Sequence, residues 1–279
     1  MTELRKVRQE DFEELYFLFL GFGKIIKSKW EQLFFNKWTN AENCKGYVLV
    51  DKDRLVGYYS LLFSKRTIEG KTHRFCNWGN WIIKKEYRSS SMSMIFPLIR
   101  LKGYNITVFT PNSTVRSLLE KLGYDYINDS SLVIPSIPSL KVLQQRCTFL
   151  WGTKAMTVLD NIDKKIFLDH FSFLCSHVTI FDGNSYSYIV MTKIKKGRWP
   201  LARIHYISNV DLFLKYLDRV KISFSKKLSV VGIQVDSRIF KDYNLSYTFK
   251  RNIGPIMVKT SSISESQIDT LYSEEVLLR

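Results

Sequence analysis

Cys76-Asn-Trp-Gly-Asn-Trp-Ile-Ile-Lys-Lys-Glu-Tyr-Arg-Ser-Ser-Ser-Met-Ser-Met-Ile-Phe-Pro-Leu98 changes its periodicity half-way along. In the first half Trp78, Asn80 and Ile82 alternate with Gly79, Trp81 and Ile83, and the aromatic and branched content suits a strand. From about Ser91 the apolar residues fall at helical spacing, with Met92, Ile95, Phe96 and Ile99 on one side. Between the two lies Arg88-Ser-Ser-Ser91-Met-Ser93, a run of small residues at an expected strand-to-helix junction. The first N–H groups of a helix lack intrahelical partners, and the helix dipole places partial positive charge there. Small side chains let an anion such as a phosphate approach that backbone.

Working outward, Leu4–Val7 reads as a first strand. Asp11 then caps a helix bearing Phe12, Leu15, Tyr16 and Phe19. A second amphipathic stretch carries Trp30, Leu33, Phe34 and Trp38. Tyr47–Val50 and Leu55–Ser64 form a hairpin, and the turn Glu69-Gly70 leads into a long third strand, Thr72–Ile83. Pro97 shortens or bends the helix that follows. Asn105–Phe109 is the next strand, Thr110-Pro-Asn-Ser113 opens a helix, Val115, Leu118, Leu119 and Leu122 form its buried face, and Gly123 ends it.

Two motifs in this order resemble the GNAT-type N-acyltransferases. Arg88-x-x-Ser91-x-Ser93 is similar to their Arg/Gln-x-x-Gly-x-Gly/Ala loop, with serines in place of both glycines. Asn112-x-x-Val115-x-x-x-Leu119-x-Lys121-x-Gly123-Tyr124 follows their Asn-x-x-Ala-x-x-x-Tyr-x-Lys-x-Gly-Phe helix. The resemblance covers roughly residues 3–128. It implies acetyl-CoA or another acyl-CoA as cofactor. Backbone groups of Ile82 and Ile83 would meet the pantetheine arm, Arg88, Ser89, Ser90, Ser91, Met92 and Ser93 the pyrophosphate, and Asn112 the arm from the other side. The family's general acid, a tyrosine, is Leu119 here.

The remainder repeats the element order of the first half without its sequence. A helix around Asp163–Ser176 precedes strands at Val178–Phe181, Ser185–Ile194 and Leu201–Ile207. Asn209 then caps a helix, Leu228–Val235 is a strand, and Ser264-x-x-Gln267 starts a last helix through about Leu277. The expected fold is α+β, with two GNAT-like domains in tandem (1–134 and 135–279), each a mostly antiparallel sheet flanked by helices. Asn128–Pro138, with its Asp-Ser-Ser and Ile-Pro-Ser-Ile-Pro-Ser runs, reads as a connector leading into a helix from about Pro138 to Cys147. The loop of the second copy, Tyr206-Ile-Ser-Asn-Val-Asp211, has no small-residue pattern, and its aspartate repels a pyrophosphate. One cofactor site is therefore expected, in the first domain, with the second, degenerate domain on the acceptor side.

Composition narrows the function. The 45% apolar content supports packed cores rather than disorder, and the four cysteines and four histidines show no metal-ligand spacing, so no metal is expected. The net charge of +16 is spread along the chain rather than gathered into a nucleic-acid-binding motif, so no nucleic acid is expected. Leu15–Phe22 is too short to span a bilayer. A cytoplasmic, monomeric chain with the two domains standing in for a dimer is expected. For proton transfer the long strand offers His73, Asn77 and Asn80, the asparagines by holding a water. The reading is an acyl-CoA-dependent N-acyltransferase acting on a small-molecule amine such as an amino sugar. The alternative is a GNAT-like binding protein that has lost catalysis.

Overall fold

The computed structural model describes residues 2–23, 25–38, 44–127, 130–260 and 262–278. They form two compact units: Met1–Ile127 with Pro255–Ser264 and Tyr272–Leu278, and Asn128–Gly254 with Glu265–Leu271.

The first unit contains β1 (Glu3–Lys6), α1 (Phe12–Phe19), α2 (Lys27–Phe34), β2 (Gly46–Asp51), β3 (Arg54–Ile68) and β4 (Lys71–Ile83). A 3-10 helix (Lys85–Ile95), α3 (Phe96–Ile99), β5 (Asn105–Val108), α4 (Ser113–Lys121) and β6 (Asp125–Ile127) follow. The second contains β7 (Ser130–Pro135), β8 (Thr148–Trp151), α5 (Asn161–His170), β9 (Ser176–Phe181), β10 (Tyr186–Lys196), β11 (Trp199–Ile207), α6 (Val210–Lys215), α7 (Leu217–Leu228), β12 (Gly232–Asp236) and β13 (Phe249–Asn252). The chain then gives β14 (Ile256–Lys259) and α8 (Glu274–Leu277).

Each unit has a seven-stranded mixed sheet, ordered β1-β2-β3-β4-β5-β14-β6 in the first and β13-β7-β12-β11-β10-β9-β8 in the second. All pairings are antiparallel except β4/β5 and β11/β12. The α+β tandem architecture is therefore as the sequence predicts. Its boundaries are not those at 134/135. The Ile134-Pro135 stretch, expected as a connector, is the end of β7, which pairs with β12 and β13. β14 pairs with β5 and β6 of the first sheet. The expected helix over Pro138–Cys147 is only a 3-10 turn at Leu140–Leu143. The expected last helix is two short pieces, a 3-10 turn at Glu265–Gln267 and α8, whose cap is Ser273.

Local chemistry explains the elements that frame the site. In α1, Phe12, Leu15 and Phe19 recur on one face and are buried, and Phe19 stacks on Trp30 of α2 at 4.2 Å between ring centroids. The β3/β4 hairpin turns through Glu69 and Gly70, both at positive φ (50° and 75°), which matches the twist of the strands it joins. Asn112 caps α4 by accepting from the Val115 N–H at 2.9 Å.

One irregularity sets which side chains share a face. Opposite β3, Tyr59 pairs with Trp81 and Leu61 with Trp78, so Gly79 and Asn80 together oppose Ser60 alone. This β-bulge breaks the simple alternation. Trp78 is buried in one apolar cluster, and Trp81 and Ile83 pack on its margin beside Met94 and Leu98. Asn80 and Ile82 therefore turn to the opposite face, with Asn77. There Ile82 meets the turn after α1, since a methyl built at Gly21 would lie 3.2 Å from Ile82 Cδ1. Strict alternation would have separated Asn77 from Asn80.

Candidate active site

β4 and β5 pair in parallel only over Phe75–Asn77 against Asn105–Thr107, and then part. Beyond that point Trp78–Ile83 keep β3 on one edge and have no described strand on the other. The opening between the two strands is where the remaining backbone groups of β4 are available to a ligand.

The side chains around the opening are polar, buried and incompletely bonded. Asn77 is 2% exposed; its Nδ2 donates to Thr107 O at 3.2 Å and to Thr107 Oγ1 at 3.3 Å, while Oδ1 makes no hydrogen bond among the described residues. Asn80 Nδ2 and Ser60 Oγ are buried without one as well. On the other face Tyr59 Oη, Trp78 Nε1 and Trp81 Nε1 share that condition. Buried polar atoms are nearly always satisfied in folded proteins, so such a group of exceptions around one bulge leaves hydrogen-bonding positions that the described side chains do not fill.

Solved structures share this architecture. A GCN5-related N-acetyltransferase from Anabaena variabilis superposes with a TM-score of 0.62 at 12% identity, covering 92% of this chain and 72% of that one. One from Kribbella flavida gives 0.57 at 9%, with 92% and 70% covered. A GCN5-related glucosamine N-acetyltransferase region of a fungal multi-domain β-N-acetylglucosaminidase gives 0.57 at 10%, with 93% and 38% covered. This is the GNAT fold. No protein-family model matches the sequence, and comparison with curated proteins found no match.

Within the GNAT fold the expected site residues separate into two groups. Asn77, Asn80 and Ile82 share the face beside the opening, and Ile83 ends the same strand with its side chain against the apolar cluster. His73 is not beside the opening: it lies four residues before Asn77, roughly 13 Å along an extended strand, with Nδ1 3.4 Å from Ser262 Oγ. Asn112 is exposed and its side-chain oxygen is committed to capping α4. Leu119, at the position of the usual tyrosine, is wholly buried among apolar residues and brings no hydroxyl to the opening.

The Arg88–Ser93 run departs furthest from its expected geometry. It is neither a loop nor the start of an α-helix; it lies inside the 3-10 helix Lys85–Ile95, and Ser93 Oγ donates to Ser90 O at 2.7 Å. Inside such a helix each N–H is spent on the carbonyl three residues back, so these amides do not form an open cradle. Serine lacks glycine's unstrained access to positive φ, and none of Arg88–Ser93 takes one. Lys84, Lys85 and Arg88 are exposed along this segment.

One residue at the opening was missed by sequence reasoning. Glu274, in α8, is 6% exposed, and Thr110 Oγ1, just beyond β5, donates to its Oε1 at 3.4 Å. The available signal was two adjacent glutamates inside an apolar run, Leu271-Tyr-Ser-Glu-Glu-Val-Leu-Leu278, where solvent-facing acids are not expected.

Proposed function

We propose that the chain is an acyl-CoA-dependent N-acyltransferase, using acetyl-CoA and a primary amine of a small molecule, with the transfer site in the first unit. The observation that carries this is the parting of β4 and β5 beside a bulge whose two faces both hold buried polar atoms in need of partners. Two substrates meeting at one strand, one from each side, would meet that need. The fungal structural neighbour is a glucosamine N-acetyltransferase region, which supports an amino sugar as acceptor.

The residues present fit the cofactor in part. The free edge of β4 over Trp78–Ile83 would hydrogen-bond the amides of a pantetheine arm. The diphosphate would be met by the side chains of Lys84, Lys85 and Arg88, by charge rather than by an amide cradle. Bound acetyl-CoA supplies the acyl group as a reactive thioester. Asn77 and Asn80, held on one face by the bulge, would orient the amine and a water beside it. No acid is required at Leu119, because a thiol with a pKa of about 8.5 leaves readily as thiolate near neutral pH.

The buried Leu119 and the closed Arg88–Ser93 segment favour a second reading, a binding protein without turnover. Two measurements decide. Calorimetry with coenzyme A should give saturable binding, and a thiol-release assay with acetyl-CoA and a panel of amines including glucosamine should give turnover. Binding without turnover on any amine leaves the second reading; no binding at about 1 mM, the upper end of ordinary substrate constants, defeats both.

A further inference from the structure

Glu274 follows Ser273, whose hydroxyl accepts from the Glu275 N–H at 3.2 Å, so the turn that carries it is fixed. Its carboxylate lies over Gly79. A methyl group built at Gly79 would fall 2.5 Å from Ser60 Oγ and 3.1 Å from Glu274 Oε2. With Thr110 on its other oxygen, the carboxylate stands between the two strands at the point where they separate. Two nearly inaccessible groups on the same face, Ser60 Oγ and Asn77 Oδ1, make no hydrogen bond among the described residues. A carboxylate beside unfilled hydrogen-bonding positions has the chemistry of a cation site, and a primary amine arrives as a cation.

We propose that Glu274 is the general base of the transfer, a role that rests on the acyltransferase reading. Its carboxylate takes one proton from the acceptor ammonium. The nitrogen lone pair then attacks the thioester carbonyl carbon, the C–N bond forms, and the C–S bond breaks with its electron pair going to sulfur. The second proton shed by nitrogen ends on the thiol, and Glu274 returns its own proton to water. Amide, thiol and one proton are the products.

The full chain tests this through Glu274→Gln, which keeps the size and the acceptor oxygen facing Thr110. The variant should bind coenzyme A as the parent does and keep its melting temperature. Turnover on whichever amine the panel identifies should fall about 100-fold or more, the usual range for a lost general base. The acidic limb of the kcat/KM profile should disappear with it. Glu274→Asp should recover part of the rate. Turnover of Glu274→Gln within threefold of the parent, or an unchanged acidic limb, overturns the role. A parent chain that binds coenzyme A but turns over no amine overturns Glu274 as catalyst while leaving the cofactor site. A parent chain that does not bind coenzyme A removes the acyltransferase reading, and this role with it.

Discussion

The two units repeat one another strand for strand and differ at a single decisive place. In the first, the last parallel pair is Asn77 with Thr107, and the bulge opens two residues later at Gly79. In the second, the last parallel pair is Arg203 with Gln234. Two residues later the β10/β11 register skips again, because Val190 pairs with Tyr206 and Met191 with Ile204, leaving His205 extra. Gly79 and His205 are therefore counterparts. His205 is buried, with Nε2 2.8 Å from Thr192 Oγ1 and Nδ1 2.7 Å from Thr270 Oγ1. Where the second unit fills the bulge with an imidazole bonded at both nitrogens, the first supplies a hydrogen atom. The same backbone device thus serves as an opening in one copy and as a plug in the other.

The largest test of this parallel concerns the strands that complete each sheet. β14, not β7, lies between β5 and β6, and β7 lies between β12 and β13. A chain ending at Gly254 leaves β5 and β6 without their shared neighbour and exposes apolar residues such as Met257's partners in the core. The first unit should lose its cooperative unfolding while the second, whose seven strands all precede Gly254, keeps its own, followed by circular dichroism on heating. A chain ending at Gly254 that melts as the parent does would mean that β14 contributes nothing to the first sheet.

The next test exchanges the character of the two bulges. Gly79→Val places a branched side chain where even a methyl falls 2.5 Å from Ser60 Oγ. Overpacking of this kind costs about 1–3 kcal/mol, and acetyl-CoA turnover should fall by about 100-fold or more as the opening closes. Ser60→Ala in the same chain should return part of the stability but not the rate. His205→Gly removes the plug and leaves the Thr192 and Thr270 hydroxyls without it, costing about 1–3 kcal/mol with turnover unchanged. If Gly79→Val is harmless and His205→Gly abolishes turnover, the assignment of opening and plug is reversed.

How far the sequence reveals this arrangement depends on the range of the interaction involved. The hairpins, the helix start within Thr110–Ser113 and the Gly123 terminator are visible because their causes are local, and Gly123 does take a positive φ of 73°. The repeat of element order is visible for the same reason. The exchange of β7 and β14 is not, because partner choice between strands more than a hundred residues apart leaves no mark in their own alternation. The bulge is hidden too, since Trp78, Asn80 and Ile82 alternate cleanly on paper and only the pairing with Ser60 adds the extra residue. Glu274 comes to Gly79 from 195 positions away in the chain, so periodicity around Gly79 could not announce it. The Arg88–Ser93 run shows the opposite error: its small residues match a phosphate loop in composition, while their backbone closes into a 3-10 helix.

The smallest test asks whether the histidines divide the units as the bulges do. The first unit has only His73, near the surface, whereas His170, His177 and His205 of the second are all buried. Burial, and after it the neighbouring charge of His170, push the His177 pKa down from its ordinary 6.5 to about 4. Its Nδ1 lies 2.7 Å from Tyr188 Oη, and the ring packs against Phe167 and Phe171. The unfolded chain binds this proton near pH 6.5, so between pH 6.5 and 4 it holds more protons than the folded one. Stability is therefore whole above pH 6.5 and declines as the pH falls through that window. His170, lowered by its own burial, acts in the same direction. Asp163, raised by burial while accepting from Tyr206 Oη, opposes them only near the acid end, where the folded chain keeps a proton that the unfolded one gives up near pH 4. Urea unfolding at pH 7 and pH 5 should differ by about 2 kcal/mol, and His177→Gln should flatten most of that slope. Hydrogen exchange at pH 5 should weaken β9 and β10 before β3 and β4. Earlier loss in β3 and β4 would move the acid-sensitive element to the first unit, against the distribution of its buried imidazoles.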